Sequence, residues 1–139
     1  MSPRESPTRA AQGTLLALPG RDLGDRGGSL RTLAMLTVLI SAADHWTTYL
    51  CLRSPVPGWQ VAEANPVAGW LFQTLGLVPG LLLDSAVTLC AVAFLLSTSL
   101  IPRGLRATFL AFVTLWTCFA VANNVQALQA LGLSPLGAV

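Results

Sequence analysis

At 139 residues the chain is long enough for one ordinary domain, yet 53% of it is hydrophobic, only 10% is charged, and its mean hydropathy is +0.64. An average soluble domain carries roughly 25% charged residues, so a conventional wetted surface is excluded. The net charge of +2 comes from eight basic residues, all arginine, against six acids, too small an excess for a nucleic-acid partner; one histidine and three cysteines without a C-x-x-C pair exclude a zinc module or a disulfide scaffold.

The charges are concentrated at the start. Eight of the fourteen fall within residues 1–31, alongside Pro3, Pro7, Pro19 and five glycines. Such a segment buries too little apolar surface to offset its ordering entropy. Residues 1–30 are therefore expected to form a disordered cytoplasmic tail, and residues 31–139 a transmembrane helical domain.

Three stretches follow that are long enough for a hydrocarbon core, which takes roughly 20 residues of helix. They cover about 32–52, 78–101 and 105–131. Between the first two, Pro55, Pro57 and Gly58 break the chain. Asn65 then suits a helix cap and Pro66 the first helical position, so 66–75 reads as a short helix ended by Gly76. The expected fold is all-α: an integral membrane bundle of three transmembrane helices plus one short interfacial or re-entrant helix. A secretory-signal reading of Arg31, residues 33–40 and the small trio Ser41, Ala42, Ala43 competes for the first stretch. The apolar run continuing through Trp46, Tyr49 and Leu52 argues against cleavage.

Arginine placement predicts orientation. With the tail inside, Arg21, Arg26, Arg31, Arg103 and Arg106 lie inside and Arg53 outside, as the positive-inside rule requires. The C-terminus is then outside, and Trp46, Tyr49, Trp59 and Trp70 gather toward the outer boundary. The implied location is the inner (plasma) membrane of a bacterium, multi-pass.

Polar residues inside the spans carry the functional information, because an ionisable group there costs at least about 2.5 kcal/mol on insertion scales. Thr37, Ser41, Asp44, Thr48 and Cys51 recur at steps of four and three and form one seam of a helix. The second span offers Asp84, Ser85 and Thr88; the third offers Thr117, Asn123 and Asn124, with Ala120 and Ala127 permitting close approach. At 1.5 Å per residue, Asp44, Asp84 and Asn124 all lie about 9 to 12 Å below the outer end of their spans. The short segment carrying Glu63, Asn65 and Pro66 returns on the same side. An outward-opening polar cluster of Asp44, His45, Thr47, Thr48, Glu63, Asn65, Asp84, Asn123 and Asn124 is thus the expected site; no cofactor is implied and the metal content is open.

These residues also carry a resemblance. Asp44-His45-Trp46-Thr47-Thr48, then Glu63-Ala64-Asn65-Pro66, an apolar span, and Asn123-Asn124 near the end of the last span resemble the membrane-protein family catalogued as domain of unknown function 5658. The likeness covers residues 33–131, and its specific pieces are D-x-x-T-T followed by E-x-N-P. It implies a small multi-pass protein with Asp44, Thr47, Thr48, Glu63, Asn65, Pro66 and Asn124 at motif positions. It also implies a basic residue about where Asp84 stands, so the chain departs there by supplying a third carboxylate.

Each polar residue has a plainer reading as well. Asp44 serves equally as protonated glue bonded to Asn124 or Thr88, His45 as an interface residue turned about 100° away, and Glu63 as a group in water or near the first turn of the short helix. The hydroxyls can bond their own helix carbonyls. Three functions remain: a non-enzymatic site that binds a cation or relays protons; a structural or assembly subunit whose seam packs helices or recruits a membrane partner or second copy; and an intramembrane aspartyl hydrolase using Asp44 and Asp84. The last lacks G-x-G-D, H-E-x-x-H, G-x-S-x-G and any lysine. The expected partner is the lipid bilayer, with no nucleic acid.

Overall fold

The computed structural model describes residues 25–53, 58 and 61–136. The tail over residues 1–24, with Arg21 and the expectation of disorder there, lies outside the described residues, as do Pro55, Pro57 and Trp59. Among the described residues there are four helices and no strand: α1 (Asp25–Arg53), α2 (Pro66–Leu75), α3 (Leu77–Ser97) and α4 (Arg103–Ala130).

The helix ends follow local chemistry. Asn65 caps α2, its Oδ1 accepting from the Val67 and Ala68 amides, with Pro66 opening the helix. A single residue, Gly76 at φ 91°, joins α2 to α3; a side chain there would be strained. α3 stops at Ser97, four residues short of the expected end, because Arg106 Nη1 closes its last carbonyls at Leu95 (3.0 Å) and Thr98 (2.8 Å) and Pro102 disfavours helix at Ile101. At the end of α4 the Leu133 amide reaches the Leu128 carbonyl (2.8 Å) and the Gly132 amide the Gln129 carbonyl (3.0 Å), with Gly132 at φ 69°. This is a Schellman closure, and Leu133 packs onto the cluster containing Leu128.

Two expectations are corrected. α1 begins at Asp25, so residues 25–30 belong to the helix and not to a disordered tail. Leu30 is buried with Ala34 against Val92, Leu95 and Leu110, and that packing holds the first turns onto the bundle. Second, two helices, α3 and α4, are apolar and long enough to cross a membrane, not three. α1 is long enough but its C-terminal half carries Ser41, Asp44, His45, Thr47 and Thr48, which dilute its apolar content.

α1 is the central post. It runs parallel to α4, pairing Ala34 with Leu110, Thr37 with Thr114 and Cys51 with Leu128. It runs antiparallel to α3, which meets it at His45 with Asp84 and at Leu30 with Leu95. Buried residues of α1 at Leu30, Ala34, Thr37, Ser41, Thr48 and Cys51 keep the a/d spacing of a left-handed helix pair, and Thr47 and Leu50 widen the buried face near its C-terminal end. The outer faces stay apolar and uncovered: Met35, Leu39, Leu82, Phe94, Phe112 and Leu115 are all exposed. Exposed apolar surface on this scale marks an interaction with another apolar phase.

Candidate functional site

α3 and α4 meet α1 together at the Leu30–Leu95–Leu110 cluster and diverge toward the other end. The space they leave, about 750 Å³, lies beside the C-terminal half of α1 and beneath the segment 61–65 and the start of α2. Asp44, His45, Thr48, Glu63, Asn65, Asp84, Asn123 and Asn124 all border it. Thr47 does not line the cavity; it is buried in the α1–α4 seam and bonds the Ala43 and Asp44 carbonyls.

The polar groups divide into three local networks. The first joins α1 to α4. Asn124 Nδ2 lies 3.2 Å from Asp44 Oδ1, 3.2 Å from Thr47 Oγ1 and 3.0 Å from Thr48 Oγ1. An amide has two N–H donors, so three acceptors share them. One turn away the Cys51 thiol points to the Asn124 carbonyl (3.6 Å), and further down Thr37 and Thr114 hydroxyls meet at 2.7 Å in the buried seam. Asp44 is therefore bonded to Asn124, one of the two plain alternatives, while Thr117 turns to its own helix at the Val113 carbonyl.

The second network joins α1 to α3. His45 Nε2 stands 2.8 Å from Asp84 Oδ2, and Ser85 Oγ stands 2.8 Å from His45 Nδ1 and 2.8 Å from the Leu81 carbonyl. Two proton arrangements satisfy these same heavy atoms. If the Ser85 hydroxyl donates to Leu81, then Nδ1 must carry a hydrogen and donate to Ser85, and with Nε2–H donating to the carboxylate the ring is an imidazolium. If the hydroxyl turns to Nδ1, the ring is neutral with its hydrogen on Nε2. The side chain of Asp84 is 47% exposed and that of His45 17%, so the pair sits at the cavity wall with one face open.

The third network is local to the roof. Glu63 Oε1 accepts from the Asn65 amide at 2.9 Å, while Asn65 caps α2. Glu63 thus lies at the start of the short helix, where its charge is favoured. The remaining walls are apolar: Phe72, Leu81, Trp116, Phe119 and Ala120. Among the described residues no three His, Cys, Asp or Glu side chains converge as metal ligands.

The direction of His45 and its serine partner were not anticipated from sequence. Asp84 stands next to Ser85 and His45 next to Asp44, and only the packing of α3 against the flank of α1 brings the two pairs together. Thr114 was also missed; it continues the spacing Leu110, Thr114, Thr117, Asn124, Leu128 on α4, the same three-and-four rhythm that marked α1. Compared with protein-family models, curated proteins and solved structures, the chain matches none.

Proposed function

We propose that the chain is a three-pass inner-membrane protein, tail inside and C-terminus outside, with a non-enzymatic role: binding a small organic cation in the outer cavity in exchange for a proton. The observation that carries this reading is the His45–Asp84–Ser85 network on the cavity wall. A volume of about 750 Å³ is on the scale of small-molecule sites, roughly 300 to 1,000 Å³. Carboxylates and the rings of Phe72, Trp116 and Phe119 line the same cavity and suit a cation with apolar substituents. The lack of a metal-like ligand group among the described residues directs the reading away from a bare divalent ion. The resemblance to domain of unknown function 5658 fits a multi-pass protein of this size.

The exchange balances. A cation settling beside the Asp84 carboxylate competes with the imidazolium; the Nδ1 proton leaves to outside water, and the Ser85 hydroxyl turns from the Leu81 carbonyl to Nδ1. Charge in the cavity is unchanged. A hydrolase finds less support, because Asp44 bonds Asn124, Asp84 bonds His45 and Glu63 bonds the Asn65 amide, and among the described residues no two carboxylates bond each other as an aspartyl dyad does.

The test uses tetraphenylphosphonium as probe and triphenylphosphine oxide as its neutral control, with the full chain in lipid nanodiscs and empty nanodiscs as reference. Saturable binding of the cation, with proton release seen by a dye in weak buffer, is expected. Losing a charge-assisted contact costs about 1.5 kcal/mol or more, so Asp84→Asn should weaken binding roughly tenfold. His45→Gln should bind without releasing a proton. Equal partitioning of both probes, or full binding by the Asp84 variant, overturns the reading. A second reading, a structural or assembly subunit, is favoured by the Asn124 network, which ties α1 to α4 without reference to any ligand. A stable complex with another membrane protein, and no probe binding, would support it.

A further inference from the structure

At the end of the bundle opposite the cavity, a pocket of about 470 Å³ is lined by Leu30, Arg31, Leu96, Ser97, Arg103 and Arg106. Three guanidinium groups border it and, among the described residues, no carboxylate does. Arg106 is fixed there by its two bonds to the α3 carbonyls, and its Nε is buried with no partner among the described residues. Arg31 and Arg103 are exposed, and the one ion pair among the described residues is the distant His45–Asp84 pair. α4 also begins here, and its cap residue Pro102 supplies no side-chain hydrogen bond. Its first amides and the positive end of its dipole therefore add to the field of the arginines. Ser97 contributes a hydroxyl donor. Beside the pocket the surface turns apolar, with Leu96, Leu100 and Leu105 all exposed.

We propose that this pocket binds the phosphoryl anion of an anionic phospholipid headgroup, with Arg31 of α1 and Arg103 of α4 closing on it and Arg106 and Ser97 forming its wall. Guanidinium forks match phosphate oxygens in pairs, and the exposed leucines lie where acyl chains continue from such a headgroup. A free phosphate ion shares the headgroup chemistry but leaves the leucines unused.

The experiment is native mass spectrometry of the full chain released from nanodiscs of equimolar phosphatidylglycerol and phosphatidylcholine, with and without millimolar inorganic phosphate. Selective retention of phosphatidylglycerol is expected. Each arginine near an anionic lipid surface is worth about a factor of five, so the double variant Arg31→Gln/Arg103→Gln should weaken retention roughly thirtyfold. Both side chains are exposed, so the variant keeps its fold, which a circular-dichroism melt checks. The double lysine variant should retain more lipid than the glutamine variant and less than the parent. Persistence of phosphatidylglycerol against inorganic phosphate supports the lipid as source. Displacement of the lipid by phosphate alone, equal retention of both lipids, or undiminished retention by the glutamine variant overturns the proposal.

Discussion

Among the described residues Asn124 makes the most side-chain bonds between two helices: one amide supplies Asp44, Thr47 and Thr48 across the α1–α4 seam. A polar contact between membrane helices is worth about 0.6 kcal/mol on average and rarely above about 1.7. Asn124→Ala also leaves the Asp44 carboxyl without its cross-helix donor, so the loss should lie near the top of that range, about 1.5 kcal/mol. Unfolding by titration of mixed micelles with denaturing detergent measures it. Thr48→Ala should cost less, about 0.5 kcal/mol, because the amide keeps two other acceptors. Equal losses for the two variants would mean that the seam is held by apolar packing alone. The D-x-x-T-T run gains a physical meaning from this geometry: an acid and two hydroxyls three and four residues on face one amide. E-x-N-P gains one too, since Glu63 and Asn65 together start α2.

At the scale of elements, α2 depends on two devices that can be removed separately. A helix of ten residues is marginal by itself, and Asn65→Ala should cost it about 1 kcal/mol, seen as faster hydrogen exchange at Val67 and Ala68 with α3 unchanged. Its seat on α3 is tighter still: a Cβ at Gly80 would fall 2.6 Å from Phe72 Cδ1 and 3.2 Å from Cε1. Gly80→Ala should therefore cost about 1 to 3 kcal/mol by overpacking, and adding Phe72→Leu should recover most of it in a double-mutant cycle. No recovery would show that Gly80 is needed for its backbone, not for the space. How much of this was legible in sequence differs by element. Asn65, Pro66 and Gly76 act through bonds to near neighbours, so the short helix could be read from its ends. The seam of α1 could be read because a three-and-four rhythm of Thr37, Ser41, Asp44, Thr48 and Cys51 survives in any helix. Which helix faces which side of α1 could not, since the 100° between Asp44 and His45 defines two flanks without naming their neighbours. Thr114 went unseen beside Thr117 because either hydroxyl can satisfy itself on its own helix, and only the register of α1 against α4 selects one.

For the whole molecule the decisive question is what surrounds α1. α3 and α4 are apolar enough to cross a membrane, whereas α1 hides its polar seam against them and turns Met35, Leu36 and Leu39 outward. The proposed three-pass reading requires α1 to cross with its polar stripe covered by these two apolar neighbours, because its own composition is too polar to qualify alone. Leu39, 64% exposed, separates the two environments. In water, Leu39→Arg on an exposed face should change stability by no more than about 0.5 kcal/mol. In lipid the same charge, about one and a half turns from the Asp44 level, costs about 2.5 to 3.5 kcal/mol on insertion scales. Protease protection of the chain in membrane vesicles should therefore fall sharply for Leu39→Arg. Arg53→Leu, at the C-terminal end of α1, should leave it unchanged. Cysteine chemistry supplies the parallel control: Cys90 and Cys118 are exposed yet lie within α3 and α4. A membrane-impermeant maleimide should miss both in intact vesicles and reach them after denaturation. Ready labelling of either thiol in vesicles, or a Leu39→Arg chain as protected as its parent, would place these apolar faces against protein or water and remove α1 from the membrane.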